Sequence, residues 1–277
     1  MSEVNENAAI GNSSSPNNGN SNKIKNIIGV MSGKGGVGKS TVTTLIAREL
    51  NNKGYKVGIL DADITGPSIP RLMNMEDIRA FSSNNSIIPV VSDEGIKMIS
   101  LNFLIEDENS PVIWRGPMIG NIVQQFYNDV LWEELDYLLI DMPPGTGDVA
   151  LTVMQSIPLT GIVMVSIPQN LVSMIVAKAV NMANQLKVPV IGLVQNMSYV
   201  KCPGCSEKIE IFEAPEMEAF LSEMNLELLG ELPMTKEIIN YSRTNDSLSE
   251  DVRGTVEAMT EKIEVFCKKN KLRMFLR

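Results

Sequence analysis

An apolar run over residues 24–31 passes directly into Gly33-Lys34-Gly35-Gly36-Val37-Gly38-Lys39-Ser40-Thr41, and a helical pattern follows over 38–53. The run satisfies G-x-x-x-x-G-K-[ST]. Glycines let backbone N–H groups curl around phosphate oxygens. The following helix N-terminus adds positive potential, the Lys39 ammonium reaches the β and γ phosphates, and the Ser40 hydroxyl ligates Mg²⁺. The candidate nucleotide contacts are therefore Gly33, Lys34, Gly35, Gly36, Val37, Gly38, Lys39, Ser40 and Thr41. A strand before the glycines and a helix after them are what a phosphate-binding loop needs and a bare Gly-rich turn lacks.

The rest of the chain is consistent with that start. Strand patterns recur near 24–31, 55–60, 96–101, 135–140, 161–167, 189–194 and 226–230, with helical patterns over 38–53, 117–130, 148–157, 171–186, 214–224 and 251–270. Such alternation predicts an α/β fold, a P-loop NTPase with a mostly parallel, doubly wound sheet and helices on both faces. No internal repeat or second linker is visible, so residues 23–277 are expected to form one domain. Residues 149–177 carry no formal charge, but Pro158, Pro168, Gln169 and Asn170 divide them into pieces too short to cross a bilayer. Residues 1–22 hold seven Asn and five Ser with almost no large apolar side chain, which predicts a disordered tail without a signal peptide.

Composition removes whole classes of chemistry. The chain has no histidine, so Ser-His-Asp and Cys-His nucleophiles, His-ligated zinc and an imidazole base are excluded together. A net charge of −9 argues against nucleic acid as a partner, because phosphate neutralisation needs surplus Lys and Arg. Three cysteines in 277 residues do not make a disulfide framework and point to a reducing, cytoplasmic setting.

Carboxylates stand where a phosphate-binding loop would use them. One strand ends in Asp61-Ala62-Asp63-Ile64-Thr65-Gly66-Pro67, and another in Leu138-Leu139-Ile140-Asp141 followed by Met142-Pro143-Pro144-Gly145-Thr146-Gly147-Asp148. A hydrophobic strand ending in an acid is the Walker B pattern, so Asp141 is expected to hold Mg²⁺ through water. Asp148, in the first turn of a helix, offsets the helix dipole.

The third element is Gln195-Asn196-Met197-Ser198-Tyr199-Val200-Lys201-Cys202-Pro203-Gly204-Cys205. Two thiolates are half of a Cys₄ site, and a twofold axis supplies the other half, so Cys202 and Cys205 could share one 4Fe-4S cluster between two subunits. Tetrahedral zinc bridging the same dimer, a redox pair, or structural thiols are the other uses of such a pair. Cys267, in the last helix, reads as a packing residue.

The early lysine, Lys34, marks the loop as similar to the deviant Walker A ATPases, where this lysine crosses a nucleotide-sandwich dimer to the partner's phosphates. Together with LDADITGPSIP, VIWRGPM, LLIDMPPGTGD, QNMSYVKCPGC and EIF, the chain from about Lys23 to Asp246 resembles the Mrp/ApbC (Nbp-type) family of iron-sulfur cluster carrier ATPases. The resemblance implies ATP and Mg²⁺ as ligands, a 4Fe-4S cluster on Cys202 and Cys205, and hydrolysis of ATP by a homodimer that takes clusters from donors and passes them to apo-proteins. It further implies Asp61 in the magnesium shell, Asp63 orienting the attacking water, Asn196 reading the adenine and the Pro233 loop flanking the base. Thr235 stands where the family often has Asp, and the cysteine-free tail predicts no second, N-terminal cluster. The rival reading is a spatial-organising ATPase of the MinD or ParA kind. Its cue would be the basic, apolar segment over 266–277 lying on a membrane, although a final helix with solvated lysines is the plainer expectation. A nitrogenase-type reductase fits less well, because the loop after Asp141 holds no cysteine.

Overall fold

The apolar runs become neighbours in one sheet, because a strand that is hydrophobic on both sides must be covered by helices on both. The computed structural model describes residues 22–275 except 65, 84–85, 106–115, 169, 206 and 211–216. The expected disordered tail, apart from Asn22, lies outside the described residues, as does most of VIWRGPM. Asn22 itself donates through Nδ2 to the Val130 carbonyl at 2.9 Å, and its Oδ1 accepts from the Glu133 N–H at 3.0 Å.

The chain runs β1 (Lys23–Ser32), α1 (Lys39–Asn52), β2 (Val57–Asp61), the short α2 (Ile69–Leu72), β3 (Phe81–Ser83), β4 (Ser86–Ile88), β5 (Val90–Val91) and β6 (Lys97–Ile99). It continues through α3 (Gly116–Asp129), β7 (Glu134–Asp141), α4 (Asp148–Ser156), β8 (Gly161–Ser166), α5 (Asn170–Gln185) and β9 (Val190–Gln195). The last part holds β10 (Val200–Lys201), β11 (Lys208–Ile209), α6 (Met217–Glu223), β12 (Leu228–Glu231), α7 (Lys236–Thr244) and α8 (Glu250–Phe275). The central sheet has eight strands in the order β12-β9-β8-β1-β7-β2-β6-β5, and only the β5–β6 pair at one edge is antiparallel. β3 pairs with β4, and β10 with β11, as separate antiparallel hairpins.

Alternation along each strand divides the core in two. Ile28 and Val30 point to the side covered by α1, α7 and α8, where Val42, Ile46, Ile238, Val256 and Ile263 pack. Ile27 and Met31 point to the other side, against Val123 of α3, Val153 of α4 and Val180 of α5. The uncharged stretch is distributed over α4, β8 and α5 as its prolines require, and no helix among the described residues is long and apolar enough to cross a membrane.

The seven expected strands and six expected helices are present, the sixth helix running on to Phe275 and the fifth described from Met217. The structure adds α2, α7 and the short hairpins. α7 escapes the periodicity reading because, of its nine residues, only Ile238 and Tyr241 among the large apolar side chains are buried.

Register matters most for function. Parallel pairing sets Val30 beside Asp141 and Asp61 beside Asp141, so β1, β7 and β2 all end at one edge of the sheet. That edge, outside the carboxyl ends of parallel strands, is where open α/β sheets bind ligands.

Candidate nucleotide site and cysteine pair

The loop after β1 wraps the N-terminus of α1. Gly38 occupies the N-cap with φ +81°, and Gly36 has φ +79°. A Cβ added at Gly38 would fall 2.1 Å from Asn196 Nδ2, so glycine is required there both by backbone conformation and by space. Ser32 Oγ donates to the Lys34 carbonyl at 2.9 Å, closing the start of the loop. A cleft of about 340 Å³ opens above it, lined by Gly36, Gly38, Lys39, Ser40, Thr41 and Asp63, with Arg71 at its rim. Gly35 and Pro144 also line it, while Lys34 is half-buried beside it.

Beneath the cleft the acids converge on one lysine. Lys39 Nζ lies 2.7 Å from Asp141 Oδ1 and 3.8 Å from Asp63 Oδ2, with 6% of its side chain exposed. Ser40 Oγ donates to Asp141 Oδ2 at 2.5 Å, and Thr43 Oγ1 stands 3.0 Å from Asp141 Oδ1. Asp61, 1% exposed, accepts from Ser100 Oγ at 3.0 Å and from the backbone N–H groups of Ile69 at 3.4 Å and Asp63 at 3.2 Å. Burial first, and then the charge of Asp141, push the Asp61 carboxyl up to about 8, against the opposing pull of Lys39 and the Ser100 hydroxyl. Ser40, Asp61 and Asp141, the residues expected to hold magnesium, all offer oxygen, the donor type hard divalent cations take, although among the described residues no three acids are grouped closely enough to form a metal cage by themselves. Asp148 lies in the exposed first turn of α4, away from this cluster's hydrogen bonds.

Two side chains here escaped the sequence reading. Thr43 is one helical turn after Lys39 on the same face, so the spacing could have shown it. Ser100 follows β6, and only the pairing of β6 with β2 brings it to Asp61.

Asn196 braces the glycine loop from the other side. It is 4% exposed, and its Nδ2 donates to the Val37 carbonyl at 2.9 Å. Next to it the chain pairs with the Pro233 loop. The Ser198 N–H donates to the Leu232 carbonyl, and the Met234 N–H to the Tyr199 carbonyl, both at 2.8 Å. Pro233 is buried and Met234 is 56% exposed. Thr235 caps α7, its hydroxyl accepting from the Glu237 N–H at 3.4 Å, a service that Asp would also provide.

From Tyr199 the same strand leads into the β10–β11 hairpin that carries the cysteines. Lys201 forms an ion pair with Asp251 at the start of α8, and Lys208 Nζ sits 4.4 Å from the centre of the Tyr199 ring. Cys202 is half-buried and Cys205 exposed, both as free thiols. Backbone N–H groups of Gly204 and Cys205, and the Cys205 thiol, lower the Cys202 pKa. Glu207 Oε2 lies 4.0 Å from Cys205 Sγ. Among the described residues no three His, Cys, Asp or Glu side chains are grouped to hold a metal, so one chain supplies two thiols and no complete cage. Cys267 is 1% exposed in the core, and burial pushes its thiol up to about 11.

The family described as NUBPL iron-transfer P-loop NTPase matches residues 23–268. The chain belongs to this family. An iron-sulfur cluster carrier protein of Clostridium perfringens is 52% identical over 226 residues, covering 79% of each chain. The structure of a nucleotide-binding protein from Archaeoglobus fulgidus in complex with ADP is 42% identical, with TM-score 0.70, covering 84% of this chain and 88% of that one. The MinD cell-division ATPase of Pyrococcus furiosus, at 20% identity and TM-score 0.56 over 87% and 98% of the two chains, shares the fold. This NUBPL-type chain is thus a P-loop ATPase of α/β architecture.

Proposed function

We propose that this P-loop ATPase acts as a homodimer, holds a 4Fe-4S cluster as cargo between the Cys202 and Cys205 pairs of its two subunits, and hands it to apo-proteins in the cytoplasm. The observation that carries the reading is the half-site: two accessible thiols on a hairpin whose root, Ser198–Tyr199, is hydrogen-bonded to the loop beside the nucleotide cleft. A twofold axis completes four thiolates, the number a 4Fe-4S cluster takes. Three free thiols, one of them deep in the core, suit a reducing compartment.

In this reading the backbone N–H groups of Gly33 to Thr41 hold the phosphates and Lys39 transfers its ammonium from Asp141 to the β and γ oxygens. A magnesium ion held by Ser40, Asp61 and Asp141 would neutralise charge on those oxygens. Asp63 accepts a hydrogen bond from the attacking water and aims it at the γ phosphorus, whose bond to the ADP oxygen breaks. Lys34 reaches the partner subunit's nucleotide, Asn196 and the Pro233 loop flank the base, and cleavage changes the tension on Val37, Asn196 and the hairpin beyond. Positioning and charge supply the catalysis, which is why a chain without histidine suffices.

The Asp61 carboxyl makes the metal step pH-dependent. Its value in the fold lies above the ordinary 3.8, so stability falls as pH rises from about 4 towards about 8, and a bound cation offsets the loss. Magnesium should therefore raise the unfolding temperature more above about pH 8 than near pH 6. Thermal unfolding with and without the ion reads this directly, and a larger effect in acid would contradict the assignment of Asp61.

Anaerobic reconstitution tests the carrier reading. Wild-type protein should gain iron, sulfide and a charge-transfer absorbance at one cluster per dimer by sedimentation, and should lose it to an apo-acceptor. Zinc alone in the purified and reconstituted protein would replace the cluster with a structural bridge.

A further inference from the structure

The cleft contains a cation that the motif reading does not use. Arg71 lies on α2, a single turn whose other side is locked in the core: Ile69 is fully buried, Pro70 is buried, and Met73 is 4% exposed. With those residues facing inward, the Arg71 side chain is left at the mouth of the same cleft as Lys39, Ser40 and Asp63. The turn is also registered on the acid cluster. Asp61 Oδ2 accepts from the Ile69 N–H at 3.4 Å and from Ser100 Oγ at 3.0 Å, so one carboxylate ties the residue after β6 to the start of the arginine's helix. Asp61, Asp63 and Asp141 bring three carboxylates to a place that must accept a polyphosphate, and Lys39 is shared between two of them. A second cation at the rim redresses that balance. A guanidinium also presents a planar fork of donors that matches two phosphate oxygens at once, which an ammonium does not.

We propose that Arg71 is a catalytic residue of the ATPase, contacting the γ-phosphoryl oxygens in its own subunit and binding them more tightly as charge develops during transfer. It rests on the ATPase reading above. Because the Ile69 N–H donates to Asp61, the position of that carboxylate also sets where the arginine's turn begins.

The test compares Arg71→Ala and Arg71→Lys with wild type in steady-state MgATP hydrolysis, in MgADP affinity, and in affinity for MgADP with aluminium fluoride, a mimic of the transferring phosphoryl group. Arg71→Ala should lose about a hundredfold in kcat, as when one transition-state donor is removed, with ADP affinity within about threefold of wild type. Aluminium fluoride should tighten ADP binding in the wild type and not in this variant, Arg71→Lys should recover part of the rate, and free guanidinium at millimolar concentration should rescue Arg71→Ala but not Lys39→Ala. Turnover of Arg71→Ala within about twofold of wild type, or a loss confined to KM with kcat unchanged, overturns the assignment. Wild-type protein that does not hydrolyse MgATP would remove the ATPase reading instead. Unfolding temperature guards against a folding defect, and if Arg71→Ala is destabilised the Arg71→Lys variant carries the kcat comparison.

Discussion

Lys39→Ala protein hydrolyses MgATP at about a hundredth of the wild-type rate or less, yet still loads metal on its cysteines. The lysine is the cation at the centre of the acid cluster, 2.7 Å from Asp141 and 3.8 Å from Asp63, and in the proposed mechanism it reaches the β and γ phosphates. Removing a donor to the developing charge costs about 10² to 10³ in rate. The variant also leaves Asp141, which is 0% exposed, with the Ser40 and Thr43 hydroxyls as its side-chain partners among the described residues. Breaking a buried ion pair costs about 3–5 kcal/mol, so the apo variant should unfold at lower temperature and recover with magnesium. Hydrolysis by phosphate release, unfolding temperature and iron content separate these effects. Cluster transfer should fall with hydrolysis; transfer at the wild-type rate would show that the two are uncoupled.

Cys202→Ala and Cys205→Ala give the opposite pattern, with cluster binding lost and ATP hydrolysis retained within about threefold, because neither side chain lines the cleft. Each substitution removes two of the four thiolates of a dimer, and a 4Fe-4S cluster does not survive on the remaining pair. Cys267→Ala is the control. Its thiol is core packing with its pKa pushed up to about 11, so the variant should load a cluster normally. Native protein should alkylate at Cys202 and Cys205 while Cys267 reacts only after denaturation. Iron and sulfide content together with peptide mass mapping read both results. Full cluster occupancy in Cys202→Ala would end the carrier proposal.

Much of the molecule was legible before folding because its signals are local. A phosphate-binding loop has to follow a strand and open a helix, and β1 and α1 flank the glycines where the local pattern set them. The strand near 161–167 read as an uninterrupted apolar run because β8 is buried on both faces of the sheet. The hairpin with Cys202 and Cys205 was visible as a pair but not as a hairpin, since two-residue strands carry too few positions for any period. α7 was missed for the same reason, its burial resting on Ile238 and Tyr241 while Thr235 supplies the cap.

Local pattern thus determined the existence of the P-loop, the two acid-tipped strands and the thiol pair, because each depends on neighbours only a few residues away. The tertiary structure alone decided the sheet order, which sets Asp61 beside Asp141 across eighty residues of chain and carries Ser100 to Asp61. It also decided that Asn196 grips the Val37 carbonyl, that the cysteine hairpin hangs from the loop beside the cleft, and that Arg71 stands at the rim. Strand order and register come from packing two hydrophobic faces at once, a condition on the whole sheet that no single segment encodes.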